Sequence, residues 1–128
     1  MKCLTVRQPW ASMIVRGDKR IETRSWRTPY RGRLLIHAGT HPIPRLDDIE
    51  LPEHPRGTIV GTVELYDCIP TDQAEPDETE DLLGDFRPGR WAWMLRWPYR
   101  FAQPIPYHPG RLGIYDVDLG LTTIMDVA

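Results

Sequence analysis

The sequence has little cysteine: Cys3 and Cys68 are the only two in 128 residues. Two distant thiols cannot supply the framework that staples small secreted domains, so they are expected to be reduced and buried. Long apolar runs are missing too, and none reaches even half of the roughly 20 residues that a membrane span needs. The start, MKCLTVRQPW, has one lysine but no apolar stretch and no small-residue cleavage site. No signal peptide is therefore expected. Together these absences point to a cytoplasmic chain with no membrane partner. Internal repeats and low-complexity tracts are absent, as is a G-x-x-x-x-G-K-S/T phosphate loop. Ser12 and Ser25 lack the G-x-S-x-G setting of a hydrolase nucleophile.

What is present is globular in character. Hydrophobic residues make up 41% and charged residues 27%, a balance that excludes disorder and coiled coil. The length suits a single domain over residues 1–128 whose core needs no disulfide or metal. The net charge of -2 hides a strong asymmetry. Residues 1–45 hold ten Lys/Arg against Asp18 and Glu22, a balance of +8. Residues 46–90 hold three Arg against thirteen acids, a balance of -10. A basic first third is a footprint for a polyanion such as nucleic acid. The plainer reading pairs the basic and acidic segments with each other across the surface.

Periodicity gives short strands at 3–6, 20–24, 33–38, 58–67, 91–97 and 113–119. Pro9 opens a helix over 9–16, where Trp10, Met13 and Ile14 share a face, and Gly17 closes it. Leu46 and Ile49 suggest a second short helix. The acidic stretch between Asp72 and Asp85 reads as a solvated loop. Trp91, Trp93, Leu95 and Trp97 fall on one strand face and are expected in the core. Pro98, Pro104, Pro106 and Pro109 favour edge or loop conformations after it. Five or six short strands with one or two helices predict a mainly β, α+β fold, a small closed or half-open barrel.

The densest chemistry lies in the pattern G-x-K-x-x-E-x-R, formed by Gly17, Lys19, Glu22 and Arg24. Glu22 and Arg24 are two apart on a strand and share a face. The carboxylate, the guanidinium and the Lys19 ammonium are expected to hold one another at a cleft edge.

With Leu4-Thr5-Val6-Arg7-Gln8-Pro9-Trp10-Ala11 before this pattern, Ser25-Trp26-Arg27-Thr28-Pro29-Tyr30-Arg31-Gly32 after it, His37-Ala38 on the next strand, a Trp-x-Trp strand and a closing Gly-x-Tyr-Asp-Val, nearly the whole chain resembles the ASCH domains of the PUA-like superfamily. It is similar in size to small stand-alone prokaryotic members. The resemblance implies a five- to six-stranded β-barrel with a cleft between barrel and first helix. It also implies a nucleic-acid or nucleotide ligand and places the G-x-K-x-x-E-x-R residues at that cleft.

On this basis the expected function is nucleic-acid binding, RNA ahead of DNA. Arg7, Gln8, Lys19, Arg24, Arg27 and Arg31 are the candidate polar contacts, with phosphates the main target of the cations. Trp26 and Tyr30 are candidate stacking groups, whereas Trp10 is expected to face the core. An alternative is a hydrolase. Some small ASCH-like bacterial proteins remove the acetyl group of N4-acetylcytidine with a base matching Lys19 and a threonine where this chain has Glu22. Here Thr23 is adjacent but turned to the other strand face. If the chain were an amidohydrolase or ribonuclease, Lys19 and Glu22 would be the catalytic pair, although the flanking cations oppose a general-base role for Glu22. A second alternative is a protein-interaction adaptor. No cofactor is expected. No metal is expected either, since His37 lies on a strand, four residues from His41, and the cysteines are isolated.

Overall fold

In the computed structural model, which describes residues 1–41 and 54–119, six strands form one curled sheet. They are β1 (Lys2–Val6), β2 (Ile21–Arg24), β3 (Gly32–Ala38), β4 (Thr58–Pro70), β5 (Trp91–Pro106) and β6 (Ile114–Asp116). The order across the sheet is β2-β5-β4-β3-β1-β6, which leaves β2 and β6 at the edges. Only β1 and β3 run parallel, with Cys3 beside Leu35 and Thr5 beside His37. The expected small barrel is present as a half-barrel. The expected helix near Leu46 and Ile49 lies outside the described residues.

Both faces of β1 and β3 are buried, which explains the unbroken Leu34–Ile36 run. Leu4, Val6, Leu34 and Ile36 face the main core with Val63, Leu65, Trp93 and Leu95. Cys3 and Leu35 face a second cluster with Ile59, Phe101 and Tyr115. Helix α1 (Trp10–Arg16) covers the main core through Ala11, Ile14 and Val15. That face is rotated from the expected one, and Trp10 and Met13 are only half-buried. Gly17 ends the helix at φ +87° and donates its N–H to Ile14 O at 3.1 Å. A side chain there would be strained in this left-handed conformation.

Three expectations are corrected. The acidic stretch is not all loop, since it contains a 3-10 turn at Thr71–Gln73 and helix α2 (Glu78–Leu83). Asp77 caps α2 by accepting the Glu80 N–H at 2.8 Å, and the acids of its first turn suit the helix N-terminus. The strand expected over 91–97 is longer, since β5 runs to Pro106, and its prolines take the expected edge position. Beyond Met94 it has lost its β2 neighbour, and missing N–H groups are tolerated on a free edge. Finally, Trp97 is not core. A register shift in the β4–β5 ladder and φ +52° at Trp97 turn it outward to 61% exposure. Trp93 and Leu95 are buried as expected.

Candidate functional site

A cleft of about 700 Å³ opens where the curled sheet brings its β2 edge round toward β1. Its walls come from β1 and the residues after it (Thr5, Val6, Arg7, Trp10), from β2 (Glu22, Thr23, Arg24) and from the end of β3 (His37, Gly39). Two lips complete it, Leu82–Asp85 at the C-terminal end of α2 and just beyond it, and His108–Gly113 before β6.

The motif residues sit in tiers. Arg24, at the cleft, grips Glu22 with Nε at 3.0 Å and Nη2 at 2.8 Å. The same Nη2 donates to the Thr5 carbonyl at 2.9 Å. Glu22 Oε1 lies 3.4 Å from Lys19 Nζ, which also donates to the Ile21 carbonyl. Lys19 is 1% exposed and is not among the cleft-lining residues. Its ammonium therefore sits beneath the cleft rather than at its edge. Gln8, also a candidate contact, is buried as a helix cap. Its Oε1 accepts the Ser12 N–H at 3.0 Å, and its Nε2 donates to Ser12 Oγ at 2.9 Å and to the Pro55 carbonyl at 2.8 Å.

The remaining candidates divide between the cleft and the far side. Arg7 is exposed at the cleft, and half-buried Trp10 lines it while packing on the core. Trp26 stands edge-on to Trp93 at 4.6 Å and accepts its indole N–H through the backbone carbonyl at 3.2 Å. Arg27 lies over the Trp91 ring at 5.9 Å. Tyr30 donates its hydroxyl to the Arg33 carbonyl at 2.5 Å. Arg31 donates to the Thr28 and Tyr30 carbonyls at 2.9 and 2.8 Å and faces Asp67 at 3.7 Å. Arg31 precedes β3, whose 7 residues hold it roughly 20 Å from the His37 end.

Sequence reasoning did not assign Thr5, Arg90 or Arg111 to the site. Arg90 faces Asp85 at 3.4 Å. The hydrogen bond from Arg87, aided by Arg90, holds the Asp85 carboxyl down at about 2. Among the described residues Arg7 and Arg111 make no ion pair, so the cleft carries two arginines in excess of its acids. The signal for Arg111 was its place in a loop punctuated by Pro109, Gly110 and Gly113.

A polar chain runs beneath the second lip. Tyr115 Oη is 2.7 Å from Thr5 Oγ1, which is 3.1 Å from His37 Nδ1. His37 Nε2 is 2.6 Å from the Tyr107 carbonyl. A carbonyl only accepts, so Nε2 carries the proton. Nδ1 then accepts from Thr5, and Thr5 accepts from Tyr115. Burial lowers the His37 pKa and keeps this ring neutral, and burial likewise raises Tyr115. Gly110 lies directly over the chain, since a Cβ there would come within 2.6 Å of Thr5 Oγ1 and 2.9 Å of His37 Nδ1. Both cysteines are free and buried, and burial pushes the Cys3 thiol up to about 11. Among the described residues no cluster of three His, Cys, Asp or Glu could hold a metal. Nor is any helix among them long and apolar enough to cross a membrane.

Residues 4–107 match the profile of the ASCH domain. Two curated relatives are both called activating signal cointegrator 1. The Mus musculus protein is 42% identical over 102 residues, covering 66% of this chain and 18% of the relative. The Homo sapiens protein is 44% identical over the same span, with the same coverage. The match thus takes in less than a fifth of each relative's length. Among solved structures, the ASCH protein of Zymomonas mobilis aligns over 98% of this chain and 94% of its own, with a TM-score of 0.64 at 14% identity. A mutant of that protein aligns over 98% and 95%, with a TM-score of 0.63 at 16% identity. At such identities the likeness concerns the fold.

Proposed function

The chain belongs to the ASCH family, and from that premise we propose that it binds nucleic acid through the arginine-bearing cleft at the sheet's seam. One observation carries this reading. Arg7 and Arg111 reach the cleft from different elements, have no acidic partner among the described residues, and flank the polar Thr5–His37 floor. Unpaired guanidinium groups around a concave site are the pattern that neutralises phosphates and releases their counterions. Arg24 is fixed by Glu22 and by the Thr5 carbonyl, so it presents its remaining N–H groups without further ordering. RNA is the favoured ligand, because its 2′-hydroxyl offers both a donor and an acceptor to a cleft of this polarity.

The site residues take different parts in this reading. Arg7, Arg24 and Arg111 would contact phosphate, while Trp10 offers an apolar wall. Lys19 and Glu22 are positioning residues that hold Arg24 from below, and Gln8 fixes the start of α1. The hydrolase alternative has less to draw on, since Lys19 and Glu22 spend their charges on each other and on Arg24.

The test is fluorescence anisotropy with short RNA and DNA strands across a salt series. Affinity should fall with a log–log slope of magnitude about 2–4, as expected for a few phosphate contacts. Arg7→Ala should reduce that magnitude by about 0.7–0.9. Arg31→Ala, on the far side of the barrel, should leave it unchanged. No binding at low salt, or a slope that Arg7→Ala does not alter, would overturn the reading and favour a protein-interaction adaptor.

A further inference from the structure

We propose that Leu112 and Leu82 are a pair of apolar wedges that enter a nucleic-acid duplex between stacked bases at the mouth of the cleft. The proposal rests on the nucleic-acid reading and deepens it, by making the substrate a duplex that is locally unstacked. Leu112 is 99% exposed and Leu82 is 82% exposed, the two most exposed large hydrophobic residues described. Both line the same cleft.

They stand on opposite lips. Leu82 belongs to the β2 side, where Gly84 packs against Thr23 and the Asp85 N–H donates to Thr23 Oγ1 at 3.0 Å. Leu112 belongs to the loop that leads into β6, at the other edge of the sheet.

Leu112 is exposed because it is held out, not because its loop is loosely attached. Ahead of it, Tyr107 donates its N–H to Gly57 O at 2.9 Å and accepts from His37, and Gly110 rests on Thr5 and His37. Behind it, a Cβ on Gly113 would lie 3.8 Å from the Trp26 ring, and Ile114 pairs with Leu4 in the sheet. An anchored loop that presents an aliphatic tip to water bears the cost of exposing it in the free protein.

The surroundings select the partner. Arg111 precedes Leu112 in the chain, and Glu22, Arg24, Asp85 and Arg90 line the same cleft. A protein-docking patch would join its leucines into one apolar area with charge at the rim. Here the two leucines share the cleft with four arginines, Arg7, Arg24, Arg90 and Arg111, against two acids, Glu22 and Asp85, a balance that suits a polyanion. A single-strand platform would offer flat aromatic faces to bases. Exposed aliphatic side chains beside arginines match the wedges that proteins push between base steps, with phosphate contacts offsetting the unstacking.

The experiment uses the whole chain with short DNA and RNA duplexes carrying 2-aminopurine at one internal position, which brightens when unstacked. The parent protein should raise the emission on binding. Leu112→Ala should lose that rise and weaken duplex binding about tenfold, equivalent to about 1.4 kcal/mol. Its salt slope should stay unchanged, because no charge is removed. Leu112→Met should restore the rise, and the melting temperature of each variant reports that the fold is kept. Arg111→Ala should do the converse, lowering the slope magnitude by about 0.9 on duplex DNA. A parent that binds duplexes without brightening them, or a Leu112→Ala variant that brightens them equally, would overturn the wedge and leave the binding reading intact. Loss of self-association in the leucine variants with stacking unaffected would overturn it in favour of an interface between copies. Failure to bind any nucleic acid would overturn both.

Discussion

Arg24 Nη2 and the Thr5 carbonyl are 2.9 Å apart, and this one hydrogen bond links the β2 edge of the sheet to β1 beside its other edge. No backbone ladder joins these strands, so a side chain closes the seam. The same guanidinium is held by Glu22, and Glu22 by the buried Lys19. The conspicuous charged motif of the sequence therefore first builds the barrel's closure, and Glu22 and Arg24, but not Lys19, line the cleft.

Glu22→Gln should cost about 3–5 kcal/mol of stability, because it leaves the Lys19 ammonium buried without its counter-charge. A pair at a solvated cleft edge would cost about 0–1 kcal/mol. Lys19→Met should be milder than Lys19→Ala, since methionine keeps most of the volume. Urea unfolding midpoints decide this, and a Glu22→Gln variant as stable as the parent would show that solvent reaches the ammonium.

Gln8→Ala should lower stability by about 1–2 kcal/mol through the lost cap on α1, with nucleic-acid affinity unchanged. Thermal melts beside anisotropy titrations separate the two effects. Weaker binding at equal stability would return Gln8 to the contact surface.

Stability should fall below about pH 6.5 through His37. Burial holds the folded-state pKa beneath the ordinary 6.5, so the unfolded chain binds the proton first. The contribution is therefore complete above the unfolded value and is lost as pH falls through the lowered folded one, at up to about 1.4 kcal/mol per pH unit. His37→Gln should flatten this part of the curve in denaturant titrations run from pH 7.5 down to about 5. An equally steep decline in the variant would assign the effect elsewhere.

Gly110→Ala should destabilise the protein by about 1–3 kcal/mol, since its Cβ would overlap Thr5 Oγ1 and His37 Nδ1. Hydrogen exchange should show the loss in residues 108–113 and in the β1–β6 pairing rather than in α1. Unchanged exchange there would mean that the loop does not rest on the polar chain.

Strand alternation, the Gly17 stop and the shared face of Glu22 and Arg24 were legible in the sequence, because each depends on backbone geometry over a few residues. The recurrence of apolar positions likewise located β1, β3, β4 and the start of β5. Residue spacing carried no information on depth. It placed Lys19 beside Glu22 but not beneath the cleft, and it put Trp97 with Trp93 until a register shift turned one of them out. It also drew the site from the basic first third, whereas Arg90, Arg111 and both leucine lips come from later segments. Which arginines share a cleft is decided by how far the sheet curls and which edges meet. That closure is set by contacts such as Arg24 with Thr5, between residues that local periodicity treats as unrelated.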